Sequence, residues 1–417
     1  MSEIKPIPSE NLDGFVDIFA DAYPGVRVHS QADKEKLCER LKEQTADPRI
    51  CDYGLYRDGR LLGVMRLFDF TMNLFGRKVP VGGIGSVAVE LMHKKEHIAK
   101  EIMQFFLSHY DEKKAPLLVL WPFRPDFYRK MGFGLGARIN QYCVKPHSFP
   151  ATGSKEHVRY LTVDDIPVLN DCYNRYAETT TGTIEELEIR WKAYFKPTST
   201  MKLVGYEEGG RIQAYLIFQF SPGESGSWLD NKVDVIECAY ENREALAGLL
   251  TFLHTQFDQI ERVVFTTPDD SFYYILEDPR NGTLNVMRPV YHESNVCGVG
   301  IMYRVLDLER IFDILKDHDF NGQTCRLKLV IRDSFFPQND GGRVIHFADG
   351  RPRLVARGDY DVEIAMDVAD FSSMLMGAVT FEKLYEYCLA DVSDTAYIGA
   401  VNRVFYREHK PICMTTF

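Results

Sequence analysis

A chain of 417 residues has room for about three domains at roughly 150 residues each. Hydrophobic residues make up 45% and charged residues 26%, the balance of a folded globular chain, which excludes a disordered one. With 49 Lys and Arg against 60 Asp and Glu, the net charge of -11 excludes bulk affinity for nucleic acid or anionic lipid and favours the approach of cationic small molecules.

No stretch reaches the roughly 18 uncharged apolar residues of a membrane span, so no membrane partner is expected. The opening residues, MSEIKP, read as neither a signal peptide nor a myristoylation site, and Cys413 stands one position too far from the end for prenylation. The nine cysteines are scattered without a CxxC, the pattern of reduced thiols. A cytoplasmic location follows as the expectation.

In chain order, residues 4–7 predict a short strand, followed by a helix whose apolar residues recur as Leu12, Phe15, Ile18 and Phe19. Residues 56–70, YRDGRLLGVMRLFDF, predict a hairpin turning at Asp58-Gly59. Residues 84–89, IGSVAV, predict a strand leading to a helix from about residue 97 to 109, and residues 116–120 predict a buried strand. The succession then repeats. Residues 158–161 precede Ile166, Leu169, Cys172 and Tyr173 at helical spacing, and residues 206–220, YEEGGRIQAYLIFQF, turn at Gly209-Gly210. Residues 233–240 predict the matching strand, residues 242–257 the helix and residues 262–266 the last strand. Duplicated α/β domains are the prediction.

Past about residue 297 the pattern changes to strands at 301–305, 325–331, 343–347, 352–357 and 362–366, with helices at 308–314, 370–376 and 380–389. This is an α+β unit with no Gly-rich phosphate loop. The expected segments are 1–150, 151–296 and 297–417.

Chemistry concentrates in the first repeat. The stretch from Glu90 to Ala99, ELMHKKEHIA, carries a strand through a basic loop into a helix start. The free amides and the helix dipole at such a start suit a diphosphate, and Lys94 and Lys95 add charge; the same stretch also reads as an ordinary solvated helix start. Residues 125–134, PDFYRKMGFG, predict a short helix closed by glycine and followed by a strand. Tyr128 there reads either as a proton donor to a departing thiolate or as a core aromatic, while Gly132 and Gly134 read as structural.

From SVAV through HKKEHIAK to FYRKMGFG, the sequence resembles the acetyl-CoA-binding core of GNAT acetyltransferases. The duplication, a third segment opening IMYRVLD, and the stretch DVEIAMDVADFSSMLMGAVTFEKL together resemble the enhanced intracellular survival (Eis) N-acetyltransferase family. The resemblance implies an α/β (α+β) fold of tandem GNAT-like domains with mixed sheets, followed by an α+β sterol-carrier-protein-like domain. It implies acetyl-CoA as co-substrate, a primary amine as acceptor, and a homo-oligomer, a hexamer in the family's pattern.

The resemblance also implies roles for single residues. The backbone of Val87, Ala88 and Val89 would pair with the pantetheine arm, and Lys95, Glu96, His97, Ile98, Ala99 and Lys100 would surround the pyrophosphate. Phe123 and Arg124 would line the cofactor near its thioester, Tyr128 would be the general acid, and the carboxylate of Phe417 the general base. One departure stands out. Where the family carries Arg-x-x-Gly-x-Gly/Ala, this chain has Lys94-Lys95-Glu96-His97-Ile98-Ala99. His97 replaces a glycine and Glu96 adds negative charge, so weaker pyrophosphate binding is expected. The second repeat runs from Ala239 into its helix without a basic loop, and no cofactor is expected there.

A catalytically silent GNAT-fold protein, binding an apolar ligand through its C-terminal domain, is the competing reading. A nucleophilic Cys143 is rejected because no histidine is placed beside it, and a metal at His93 and His97 because no HExxH accompanies them.

Overall fold

The computed structural model describes residues 2–356 and 358–417. Two compact units emerge. The first holds the chain up to Gly136 together with Ile301–Pro411 and Thr416–Phe417; the second holds Ala137–Gly300 and Ile412–Thr415. Among the described residues no helix is long and apolar enough to cross a membrane.

The first unit contains a seven-stranded sheet in the order Ser2–Pro6, Ile50–Arg57, Arg60–Leu74, Arg77–Val89, Leu117–Leu120, Met302–Val305, Gly134–Leu135. Among the described residues its one parallel pair is Arg77–Val89 with Leu117–Leu120, joined by the helix Ile98–Glu112. Parallel neighbours need such a crossover, and this helix buries Ile98, Ile102, Met103, Phe106, Leu107 and Tyr110 at three- and four-residue spacing against the sheet. The expected helix over 97–109 is present, starting one residue later and ending three residues later.

Strand Met302–Val305, fully buried, lies between Leu117–Leu120 and Gly134–Leu135, antiparallel to both. Arg304 in this strand donates to both carboxylate oxygens of Asp333 at 2.9 and 2.7 Å, and both side chains are fully buried. Burial pulls the Arg304 pKa down and Asp333 opposes that shift. Gly132, at φ +83°, leaves room for the guanidinium: a Cβ there would sit 1.5 Å from an Arg304 nitrogen.

The first unit also holds a five-stranded sheet ordered Arg351–Val355, Gly341–Ala348, Cys325–Arg332, Val362–Asp367, Ala390–Val392. Its core gathers Phe312, Phe320, Phe347, Phe371 and Phe405, with Phe320 and Phe347 5.2 Å apart. The helix expected over 380–389 stops as Phe381–Glu386, because Cys388 turns left-handed at φ +58°. Residue 357 of the strand expected over 352–357 lies outside the described residues. A helix at Ile398–Phe405 and one at Gln31–Thr45 were not expected from the pattern.

The second unit repeats the plan: Asn295–Gly298, Ile139–Val144, Arg262–Thr267, Asn231–Tyr240, Arg211–Pro222, Lys202–Glu208, Val158–Tyr160. Again one pair is parallel, Asn231–Tyr240 with Arg262–Thr267, joined by the helix Arg243–His254. The duplication is present as read. The divisions at 150 and 296 do not follow the sheets, since Ile139–Val144 completes the second sheet and Met302–Val305 the first. Each repeat ends on an open strand edge, and the strand that satisfies its hydrogen bonds comes from outside the repeat in both cases.

Within the second unit, Arg190 bridges two buried carboxylates, bonding Glu186 and reaching Glu237 at 2.6 Å, while Tyr215 donates to Glu237. One guanidinium serves two acids. Burial pushes Glu186 up to about 7, with Glu237 adding to the rise and Arg190 opposing it. The folded chain then binds this proton more tightly than the unfolded one, so stability falls as pH rises from about 4.5 to about 7 and levels off above. Glu186→Gln is expected to flatten that slope in urea unfolding followed across the same pH range; an unchanged slope would place the titration elsewhere.

Candidate active site

The site begins where two strands part. Arg77–Val89 pairs with Leu117–Leu120 only from Val81 to Ile84, and Gly85–Val89 then runs on with one strand neighbour, Arg60–Leu74. The register slips between Val64 and Arg66, and Ser86 takes φ +52°, the extra residue of a β-bulge that turns the strand away from its parallel neighbour.

The gap is a cavity of about 490 Å³. Val87, Ala88 and Val89 form one wall, Phe123, Arg124, Phe127 and Tyr128 another, and Lys95 and His97–Lys100 the mouth. Two residues expected at the site stand apart from this lining. Glu96 turns outward, accepting from Arg57 at 3.3 Å and from His93 Nδ1 at 3.1 Å, and its carbonyl takes a second Arg57 nitrogen at 3.2 Å. The repulsion expected from Glu96 is thereby offset by Arg57. Phe417 lies at the other end of the splayed strand. Its ring meets Phe68 at 5.3 Å and Phe70 at 4.8 Å, and its main-chain carbon and oxygen lie 3.3 Å from where a Cβ on Gly85 would be.

The mouth has the makings of an anion site. His97 precedes the helix in the left-handed region (φ +65°), and no side chain caps this helix start. The first intrahelical bond is Glu101 N–H to the His97 carbonyl, which leaves the amides of Ile98, Ala99 and Lys100 ahead of the ladder. Lys94, Lys95 and Lys100 line the same mouth. The donor set fits a diphosphate, and the edge of Gly85–Val89 that no strand pairs fits an amide-bearing arm. Left-handed His97 keeps the backbone path a glycine would take, and it adds an imidazole to the cavity wall.

Tyr128 sits on the short helix Pro125–Arg129, closed by Gly132. Arg129 pins that helix by donating to buried Asp370 at 2.6 Å. Tyr128 is 7% exposed, packed on Phe127 and Phe133, and burial drives its hydroxyl pKa well above the ordinary 10, with Tyr23 adding to the rise. The hydroxyl stays protonated across the physiological range and so has a proton to donate.

Tyr23 was missed by sequence reasoning. It donates to the Val87 carbonyl at 2.9 Å and sets its ring edge-on to Phe123 at 5.4 Å. Its signal was available, because Phe15, Phe19 and Tyr23 continue one four-residue helical spacing. Cys143 is half-buried and burial raises its thiol pKa, the opposite of an activated nucleophile. Among the described residues no group of three or more His, Cys, Asp or Glu is arranged to hold a metal.

Known proteins match this architecture. Residues 3–136 match a family described as acetyltransferase (GNAT) domain, residues 183–305 a second family of the same description, and residues 312–414 the sterol carrier protein domain. A Streptomyces avermitilis protein named as an uncharacterized N-acetyltransferase is 22% identical, over 99% of this chain and 95% of the relative. The fold is shared with a GCN5-related N-acetyltransferase from Anabaena variabilis (TM-score 0.82, 16% identity) and with Eis1 from Mycobacterium abscessus (TM-score 0.75, 16% identity), each over 100% of both chains.

Removing the His97 side chain widens the mouth without changing the backbone. His97→Gly is expected to lower the coenzyme A Kd about threefold or more by calorimetry, without loss of thermal stability. A weaker Kd would show that the imidazole is itself a ligand contact.

Proposed function

We propose that this chain, which belongs to the GNAT acetyltransferases of Eis-like architecture, transfers an acetyl group from acetyl-CoA to a primary amine on a cationic small molecule. That the chain is an acyltransferase follows from its two GNAT domains and its N-acetyltransferase relatives. The observation that carries the finer reading is the splayed strand Gly85–Val89, opening beside uncapped helix amides and a buried tyrosine.

Acetyl-CoA supplies the activated acyl carbon and a thiol leaving group. Val87–Val89 present main-chain groups to the arm, while the Ile98–Lys100 amides and the neighbouring lysines hold the diphosphate. Phe123 and Arg124 flank the reactive end. The amine must lose a proton to attack, and in this reading the Phe417 carboxylate accepts it. Tyr128, held protonated by burial, donates to the sulfur as negative charge develops there. Ordered binding of both reactants supplies the proximity, and no covalent enzyme intermediate is required.

The acidic balance of the chain supports a cationic acceptor, because a net charge of -11 draws such molecules in. A cytoplasmic homo-oligomer, hexameric by resemblance, completes the reading. The silent scaffold with an apolar ligand is not favoured beside two acetyltransferase domains.

Tyr128→Phe is expected to lower kcat about 100-fold, with the acetyl-CoA KM held within about twofold, in a thiol-release assay with a polyamine acceptor. Full kcat would remove Tyr128 from the mechanism. Deleting Phe417, or extending the chain beyond it, is expected to abolish turnover while acetyl-CoA binding persists; retained turnover would require another base.

A further inference from the structure

The second repeat has its own parting of strands. Asn231–Tyr240 pairs with Arg262–Thr267 only as far as Val235 with Phe265, and Ile236–Tyr240 then runs on past its parallel neighbour, as Gly85–Val89 does past Leu120. A register slip accompanies it here too, between Ile217 and Phe218 on the adjoining strand. The Phe-Tyr pair also recurs: Phe272-Tyr273 follows Phe265 at the spacing by which Phe127-Tyr128 follows Leu120. The two clefts are the same feature, built twice.

Their contents differ. The second cleft keeps only about 80 Å³, and Ile412 and Met414 line it beside Cys238, Tyr240, Thr267 and Phe272. Residues 411–415 alternate as an extended strand does, with Pro411, Cys413 and Thr415 buried and Ile412 and Met414 directed to the cleft. Ile412 donates its N–H to the Thr181 carbonyl at 2.8 Å, and the Thr415 hydroxyl meets Tyr173 at 3.3 Å. Burial pushes the Cys413 thiol up to about 12.

The anion end of this cleft is closed. Asn242 caps its helix by accepting from the Ala245 amide at 2.9 Å, where the first repeat has no cap. Glu241 follows the strand directly, bonded to Arg175 and Arg211, and the chain enters the helix at Arg243 without the lysine-bearing loop of the first repeat. The cleft therefore suits a short, uncharged, extended occupant, and ICMT is one.

We infer that the second repeat has turned the place of a cofactor arm into a receptacle for the chain's own residues 412–415. Ile412 and Met414 are the anchors. Because Phe417 follows Thr415 by two residues, the receptacle makes these anchors positioning residues for the Phe417 carboxylate; this last step rests on the acetyltransferase reading, the seating itself does not.

The test uses the full chain and two readouts. Iodoacetamide labelling of Cys413, read by mass spectrometry on the tryptic peptide beginning at Glu408, is expected to be slow in the parent, at least about tenfold faster in Met414→Asp, and slow again in Met414→Leu. Cys172, buried in the same unit, reports that the unit stays folded; if both thiols open together, the milder Met414→Ala decides by the same pair. Unchanged Cys413 protection in the folded variant overturns the receptacle. Acetyl transfer is expected to follow the labelling, with kcat reduced at least about tenfold in Met414→Asp, an unchanged acetyl-CoA KM, and recovery in Met414→Leu. A released Cys413 with undiminished kcat overturns the positioning role. A parent chain without acetyl transfer strikes the acetyltransferase reading, and the labelling still decides the receptacle.

Discussion

The parting of Arg77–Val89 from Leu117–Leu120 is the constraint on which the first unit depends. A parallel pair that stops after Ile84 exposes main-chain groups that antiparallel neighbours would otherwise consume. The opening persists because both sides are held from outside. On one side the bulge at Ser86 keeps the strand bonded to Arg60–Leu74. On the other, Met302–Val305 takes the free edge of Leu117–Leu120, and Arg304 ties that strand to Asp333 in the third segment. Losing one member of that buried pair would strand a charge, at about 3–5 kcal/mol. The far wall of the cleft is thus fixed by residues far along the chain, and Arg129 with Asp370 does the same for the helix carrying Tyr128.

That dependence explains what the sequence revealed and what it hid. The repeat was legible because its signals are local: Asp58-Gly59 and Gly209-Gly210 turns, alternating strands, and helices with apolar residues three and four apart. The cleft residues were legible because a strand, a loop and a helix start follow one another directly from Val87 to Lys100. The strand partners were not. Nothing in residues 139–144 or 302–305 says which sheet has an open edge to fill, since that depends on hydrogen bonds made more than a hundred residues away. The pairing of Glu96 was hidden for the same reason, because its partner Arg57 lies 39 residues earlier, on a strand.

The two clefts show what a duplicated fold can do with one opening. An uncapped helix start and a cluster of lysines are unfavourable by themselves: the helix start has no side-chain cap and the like charges repel. The first repeat retains both, at Ile98–Lys100 and Lys94–Lys95, as a site that gains its stabilisation from a ligand does. The second repeat has removed both, with Asn242 as cap and Glu241 paired to arginines, and its opening is filled by Ile412 and Met414. A filled, capped cleft is the more stable arrangement and the less reactive one.

Gly85 connects this asymmetry to the end of the chain. A glycine in a strand weakens it, through backbone freedom and the loss of a packed side chain, so its presence beside the bulge calls for a reason. Space supplies it. The Phe417 main-chain carbon and oxygen lie 3.3 Å from the position of the missing Cβ, with Phe68 at the same distance, so a larger side chain would push against the last residue or against the ring that holds it. In the second repeat the corresponding strand needs no such gap, and Ile236 stands just past the last paired residue where Gly85 stands in the first. The small residue marks the strand against which Phe417 lies, and the large one marks the strand without that neighbour.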